Sequence, residues 1–577
     1  MKKKLLAILL AVLLIAGTAV SCKKAPEAVT VLFTNDVHCG IDPTGDADES
    51  GNITAYKTMG YAGLAAYKAF VKASNPNVVL VDDGDSIQGD VIGTLSNGSY
   101  LVDIMNEVGY DVATFGNHEY DYGMDKLFDL TKKAKYTYVS CNFLDQKGKP
   151  VYDAYKVLTF GGTKIAFLGI STPESITKST PVFFQDKDGN YIYSFGNAGD
   201  TTDAAFKTFV TTIQNAVNEA QKKADYVVAV GHLGVDESSS PWTSKELIAA
   251  TTGINVFLDG HSHTVLNEVV KDKDGKDVIL AQTGTKLANV GQLDIGTDGT
   301  LSVKLVSAQD VADLGLVTSD AYKATAAFVD DIKVQYEALV ATVVGSTTTP
   351  LVIKDPATGD RIVRSRECNL GDLCADAYRV VLSRALGKPV DVAFVNGGGI
   401  RAEIQDSITY GDIVKIHPYG NMACVVEVTG EQIWQALEWG SRAAVADYTA
   451  ELGGFLQVSG LTYEIHTDIA PKIEFDAATS VYTGMQAGYT YGDQSRVQNI
   501  MIGGAPIDLT KKYTLASHNY MLKQQGDGFN MFGGDTLLLD EVMIDNQVLI
   551  DYITEDLGGV VPETYANPYG EGRIKIF

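Results

Sequence analysis

From residue 27 to about residue 315 the chain alternates short apolar runs with amphipathic stretches, the pattern of a layered α/β domain. The runs at 29–34, 78–82, 111–114, 226–230 and 255–258 predict buried strands. Segments 61–72, 100–107 and 203–223 carry apolar residues at helical spacing, while the acidic, glycine-containing segment 42–52 reads as a surface loop. Residues 319–341 hold neither Gly nor Pro and predict a connecting helix. A turn-rich, threonine-rich lead at 345–356 then opens a second region, which begins with RSRECNLGDLCADAY, mixes strands with helices and runs to the C-terminus. A chain of 577 residues is expected to build more than one core, and the pattern divides it into two.

The first 22 residues stand apart. MKKK, then sixteen apolar or small residues, then Ser21 and Cys22 follow the plan of an export signal. The apolar stretch at 5–20 falls short of the ~20 residues a spanning helix needs. Ala19-Val20-Ser21-Cys22 resembles a relaxed bacterial lipobox, which implies lipidation at Cys22, attachment to a membrane by that lipid and a place in the cell envelope, periplasm or surface. Ordinary cleavage beside an incidental cysteine is the alternative. Of the remaining cysteines, Cys39, Cys141, Cys368, Cys374 and Cys424, an odd number cannot all pair. Cys368 and Cys374 lie at the start of an expected helix, where that spacing points them apart, so a bridge between them is disfavoured.

A net charge of −26 argues against a nucleic-acid polymer as partner, because such binding needs clustered Lys and Arg. A small anion remains compatible, since metals and a few arginines reverse the field locally. The sequence names no protein partner.

The chemistry gathers at strand ends. VLFTNDVHCG carries Asp36 and His38, VVLVDDGDSIQG carries Asp85, and VATFGNHEYD carries Asn117, His118 and Asp121. VVAVGHLG then supplies His232, and VFLDGHSH supplies His261 and His263. In an open α/β sheet such ends share one crevice, so these donors converge although far apart along the chain. Nitrogen and carboxylate donors at one rim suit a pair of divalent transition metals, and Asp85 has the two oxygens needed to bridge them. Gly84, Gly116, Gly231 and Gly260 each precede a candidate ligand and are expected to let the backbone turn beneath it.

Asp36-x-His38, Gly84-Asp85, Gly116-Asn117-His118-Glu119, Gly231-His232 and Gly260-His261-x-His263 resemble the calcineurin-like metallophosphoesterases. Their order and separations are similar to those of the 5′-nucleotidases, a family that includes UDP-sugar hydrolases. The resemblance implies an N-terminal four-layer α/β/β/α metallophosphoesterase domain at 27–315. A linker helix at 316–345 would join it to a smaller α+β C-terminal nucleotide-binding domain at 346–577. It implies two divalent metal ions, Zn, Mn or similar, one on Asp36, His38, Asp85 and His263, the other on Asp85, Asn117, His232 and His261. Water acidified on the metals would attack phosphorus in line. His118 would stabilise the phosphoryl group and protonate the leaving oxygen, with Asp121 orienting it. A simpler role for Asp121, capping the helix that follows, is compatible with this.

The second half offers three clusters: Asn396-Gly397-Gly398-Gly399-Ile400-Arg401 after the strand VDVAFV, with Arg364 and Arg366 adding charge; His417-Pro418-Tyr419-Gly420-Asn421 and Ser517-His518-Asn519-Tyr520, each expected to end a strand; and Gln525-Gly526-Asp527-Gly528-Phe529. On composition alone, two tyrosines among 29 are core or rim residues. The family resemblance of NGGGIR, PYGN, FLQVSGL and GDGF instead implies that Tyr419 and Tyr520 sandwich a base. By the same resemblance Asn396, Gly398 and Asp527 meet the nucleoside, and Arg364 and Arg401 the phosphate side. The substrate is then a nucleotide. The implied activity is release of phosphate from nucleoside 5′-monophosphates, with UDP-sugar or NAD cleavage by the same attack. A 2′,3′-cyclic-nucleotide phosphodiesterase with 3′-nucleotidase activity is the enzymatic rival, and a catalytically silent nucleoside-binding lipoprotein the rival of another class.

Overall fold

A computed structural model describes residues 25–577 except 49, 177, 200 and 477–480. The export segment and Cys22 lie outside the described residues. Among those described, no helix is long and apolar enough to cross a membrane.

Two six-stranded sheets stack in the first half. The first runs Leu301–Ser307, Asn289–Ile295, Val29–Thr34, Val78–Asp82, Val112–Ala113, Thr137–Tyr138, the last four parallel. The second runs Val265–Lys271, Asp277–Thr283, Val256–Leu258, Tyr226–His232, Thr163–Ser171, Tyr155–Phe160, with the middle four parallel. The strand period of two sorts side chains cleanly between layers. Val29, Val31, Phe33, Val79, Val81, Val228 and Val230 fill the space between the sheets. Leu32 and Leu80 face outward under the helices Gly60–Ser74 and Ser99–Val108, while Val227 and Ala229 face Thr202–Gln221. That is a four-layer α/β/β/α arrangement, as expected.

The helix Asp320–Val340, capped by the Ser319 hydroxyl on Tyr322 N, leads into the second half. There a five-stranded sheet, ordered Leu456–Ser459, Val392–Asn396, Lys512–His518, Met422–Thr429, Thr536–Ile544, carries the helix Asn369–Leu386 on one face and Gly430–Gly440 on the other. Cys368 and Cys374 are both free and buried.

Three expectations are corrected. Segment 42–52 is no simple loop: Pro43–Ala47 pairs with Ile53–Met59 in a hairpin whose exposed polar faces hide the strand signal. The lead at 345–356 includes part of the strand Val343–Thr347, which pairs with Ser407–Thr409. His417 ends a helix, Tyr410–Ile416, rather than a strand; the Thr409–Asp412 capping box starts that helix.

Candidate dimetal site and nucleotide cleft

Every metal-ligand candidate sits just past the C-terminal end of a parallel strand or at its last residue. Asp36, His38, Asp85, Asn117 and His232 are buried, and His263 stands at the open rim with its side chain 47% exposed. The donors fall into two groups, Asp36 with His38 and His263, and Asp85 with His232 and His261. His38 Nε2 lies 3.0 Å from His263 Nε2 and 3.8 Å from Asp36 Oδ1. Asp85 Oδ2 lies 3.8 Å from His38 Nε2 and 3.1 Å from His232 Nε2, placed to serve both groups. Asn117 Oδ1 is 2.8 Å from His261 Nδ1. Such separations are those of neighbouring ligands on ions held at about 2.0–2.2 Å.

The donor chemistry fits divalent cations. Among the described residues His232 Nε2 is buried and makes no hydrogen bond of proper geometry, which leaves that nitrogen available to a metal. The other ring nitrogens are already committed: His232 Nδ1 is 2.7 Å from the Asp83 carbonyl and His38 Nδ1 is 3.0 Å from the Gln88 carbonyl. A donated Nδ1–H leaves Nε2 as the coordinating atom in both rings. Burial lowers His38 to about 3 and His261 to about 4, so both rings are neutral and ready to ligate.

The expected role of the glycines is only partly met. Of the four preceding ligands, Gly84 alone is left-handed, at φ +96°, while Gly116 is required because a Cβ there would sit 2.1 Å from Asp85 Oδ1. The left-handed backbone falls instead on the ligands, Asp36, His38, Asp85, His261 and His263, at φ from 43° to 79°. Each such residue costs about 1–3 kcal/mol, strain that the packed surroundings hold at the site.

His118 starts the 3₁₀ turn His118–Tyr120, and its Nδ1 is 2.7 Å from Asp121 Oδ2. Ser179 Oγ donates to the other Asp121 oxygen at 2.8 Å. The helix Met124–Lys133 begins from Gly123 with no side-chain cap among the described residues, so Asp121 does not cap it. Burial would lower His118, but Asp121 and Asp85 overcome it and hold the ring at about 9.

Pattern reading missed two carboxylates. Glu119 accepts backbone N–H groups from Asp85, Ser86 and Gly116 at 2.8, 2.9 and 2.7 Å, and so pins the loop that carries Asp85. Glu174 Oε2 lies 3.0 Å from His261 Nε2 and orients that ring. The position of Glu119 beside His118 was a usable signal; Glu174, 87 residues from His261, gave none.

In the second half, Arg364, Asn396, Gly398, Arg401, Tyr419, Tyr520 and Asp527 all line one cavity of about 410 Å³. Asn396 Nδ2 donates to Asp527 Oδ2 at 2.7 Å, and the Asp527 N–H donates to the Tyr520 hydroxyl at 3.2 Å. Tyr419 projects openly, 58% exposed, with Arg401 6.0 Å above its ring, and Arg364 Nε is buried without a partner among the described residues. Arg366 does not line this cavity; its guanidinium lies between the rings of Tyr448 and Tyr569.

A second cavity of about 250 Å³ covers the metal-ligand groups and is roofed by Gly420, Met422, Lys523, Asp540 and Glu541 from the second half. Lys178 reaches across to Asp540 at 3.7 Å. The two cavities share one wall, segment 419–422, whose alternate residues face opposite sides: Tyr419 and Asn421 the first, Gly420 and Met422 the second.

A metal-donor rim on a four-layer α/β/β/α scaffold, faced by a second domain of mixed strands and helices, fits a hydrolase of phosphoric ester bonds. Comparison with known proteins agrees: residues 29–265 match the calcineurin-like phosphoesterases and residues 343–534 the 5′-nucleotidase C-terminal domain. The chain belongs to the 5′-nucleotidase family. It is 26% identical over 581 residues to the 5′-nucleotidase of Rattus norvegicus, covering 95% of this chain and 90% of that one. It is equally 26% identical over 592 residues to the snake venom 5′-nucleotidase of Gloydius brevicauda, covering 96% and 90%. The solved NAD nucleotidase of Haemophilus influenzae shares the fold, with a TM-score of 0.69 at 19% identity and coverage of 96% and 99%.

Proposed function

We propose that the protein is an exported, metal-dependent nucleotide phosphohydrolase that releases phosphate from nucleoside 5′-monophosphates. The observation that carries this reading is the pairing of two cavities across segment 419–422, one holding two metal-donor groups and the other the tyrosine pair. The relatives named 5′-nucleotidase support it.

Asp36, His38, Asp85 and His263 would hold one cation, and Asp85, Asn117, His232 and His261 the other. Such a pair supplies Lewis-acid polarisation of the phosphoryl oxygens and acidifies the attacking water. His118, its Nδ1 held by Asp121, offers Nε2 to the phosphoryl oxygen as charge builds and passes a proton to the departing ester oxygen. Arg364 and Arg401 face the phosphate side, Tyr419 and Tyr520 stack the base, and Asn396, Gly398 and Asp527 meet the nucleoside. The substrate must reach both cavities, so segment 419–422 moves with the second domain during turnover. Anhydride bonds in UDP-sugars or NAD are open to the same attack.

Export and lipid attachment at Cys22 rest on the first 22 residues of the sequence. Mass spectrometry of the N-terminal peptide from a membrane fraction tests the lipid. For catalysis, phosphate release from AMP, 3′-AMP, 2′,3′-cyclic AMP, UDP-glucose and NAD is measured with added manganese or zinc, with and without chelator. AMP turnover that chelator abolishes supports the reading. Turnover of 3′-AMP and the cyclic nucleotide in its place reassigns the enzyme to the cyclic-nucleotide class, and no turnover at all leaves a binding protein.

A further inference from the structure

We propose that Lys286 and the cavity behind it form a distal subsite for nucleoside diphosphate diesters, receiving the part of the substrate beyond the phosphoryl group at the metal site. The inference rests on the nucleotide-hydrolysing reading above.

Three lysines line the metal cavity, and two are neutralised. Lys178 lies 3.7 Å from both Glu174 and Asp540, and Lys523 lies 2.5 Å from Asp540 and 3.0 Å from Glu541. Lys286 is exposed, and its ammonium has neither an ion pair nor a hydrogen bond among the described residues. It is the unspent cation of this cavity.

Its backbone is held in place. Lys286 and Leu287 are both left-handed, at φ 54° and 58°, although neither is glycine. The Lys286 N–H donates to the Asp36 carbonyl at 2.9 Å, and Leu287, buried, accepts from Met59 N at 2.9 Å. Two consecutive strained residues tied to a metal-ligand candidate mark a position that the fold maintains against local preference.

Behind this turn lies a cavity of about 420 Å³ that shares His38 and Lys286 with the metal cavity. Asp90, Tyr336 and Glu337 line its far side, the last two from the connecting helix. The base cavity is built wholly from the second half and lies across segment 419–422, whereas this cavity meets the metal cavity at His38 and Lys286 of the first half. A diphosphate diester has this two-sided form. Its nucleoside runs to the tyrosines, its second phosphate pairs with the Lys286 ammonium, and the hydroxyls of its terminal sugar donate to the Asp90 and Glu337 carboxylates beside the Tyr336 ring. The reaction stays a hydrolysis: the water oxygen bonds to phosphorus, the bridging P–O bond breaks, and the departing oxygen keeps the bonding pair and takes a proton.

The test compares kcat/KM for UDP-glucose and AMP in the metal-loaded wild type, Lys286→Ala, Lys286→Arg and Glu337→Gln. Lys286→Ala is expected to lower the UDP-glucose to AMP ratio about tenfold, chiefly through KM for UDP-glucose, with Lys286→Arg restoring most of it. Glu337→Gln lowers the same ratio a few-fold. Equal losses on both substrates would assign Lys286 to the shared phosphoryl group, and an unchanged ratio removes it from recognition; either overturns the subsite. A wild type that hydrolyses AMP and leaves UDP-glucose intact also overturns it, whereas failure on AMP itself brings down the nucleotide reading first.

Discussion

His118 and Asp121 are three residues apart in one tight turn, with Nδ1 and Oδ2 separated by 2.7 Å, so the pair proposed to handle the proton is set by local geometry. Burial opposes charge on the ring, and Asp121 and Asp85 reverse that to hold it at about 9. The imidazolium is therefore present below that pH and lost above it. Asp121→Asn removes the largest supporting charge, and the alkaline limb of kcat/KM should move to lower pH while kcat falls about 10²-fold. His118→Asn should cost about 10²–10⁴-fold in kcat. A pH–rate profile of both variants checks this, and a limb that stays put in Asp121→Asn would separate the carboxylate from the proton.

Asp85 faces both donor groups, at 3.8 Å from His38 and 3.1 Å from His232, so its loss should not be confined to one ion. Elemental analysis is expected to find two metal ions per wild-type chain and close to none in Asp85→Asn. Glu174→Gln leaves every proposed ligand in place and loosens the ring of His261, along with the ion pair to Lys178. Metal affinity at one of the two sites should fall about 10–100-fold, read by competition with a chromogenic chelator. Full retention of both ions in Asp85→Asn would show that the carboxylate bridges nothing.

The strand ends were legible because both faces of Val29–Thr34, Val78–Asp82 and Tyr226–His232 are buried, which writes an unbroken apolar run before each ligand. Pro43–Ala47 was not, since a strand exposed on its polar positions has the composition of a loop. The helix before His417 could have been read from the Thr409-x-x-Asp412 capping pattern, which the tyrosine two residues past His417 overshadowed. Glu174, Lys178, Asp540 and Glu541 were invisible for another reason. Their meaning lies in contacts between distant segments, Lys178 with Asp540 above all, and no spacing along the chain encodes those.

Tyr419, from a turn, and Tyr520, from the short helix Asn519–Leu522, line the same cavity, and stacking of a base on each would be worth about 1–3 kcal/mol. Tyr419→Ala and Tyr520→Ala should each raise KM for AMP by roughly 5- to 150-fold. Hydrolysis of 4-nitrophenyl phosphate, which carries no base, should hold near the wild-type rate. Parallel losses on both substrates would mean that the tyrosines support the domain and do not hold a base.

Asp545 anchors the wall between the two cavities: its Oδ2 accepts Asn421 N at 3.2 Å, and its own N–H donates to the Asn421 carbonyl at 2.8 Å. Burial pushes its carboxyl up to about 7, against the pull of those N–H donors. The folded state thus holds this proton more tightly than the unfolded chain does. The resulting stability is complete below the unfolded value near 3.8 and is lost as pH rises through 7. Asp545→Asn cannot titrate, so thermal stability should fall less steeply in the variant between pH 4 and 7. The difference in slope is at most about 1.4 kcal/mol per pH unit. Parallel melting curves across that range would place the proton elsewhere.

Gln88 Nε2 lies 3.5 Å from Met422 Sδ, a contact that joins the half carrying the metal-donor groups to the wall segment 419–422. If a nucleotide is to put its base between the tyrosines and its phosphate at the metal site, that contact has to open and reform in each cycle. Cysteines at positions 88 and 422, oxidised to a disulfide, should reduce turnover of AMP by at least tenfold, and reduction with a phosphine should restore it. The reduced double variant serves as the control for any thiolate competing with the metals. The small substrate 4-nitrophenyl phosphate needs no base cavity and should lose less than AMP on oxidation. Undiminished AMP turnover in the locked protein would show that the two halves work without moving apart, and that the wall at 419–422 is passable as it stands.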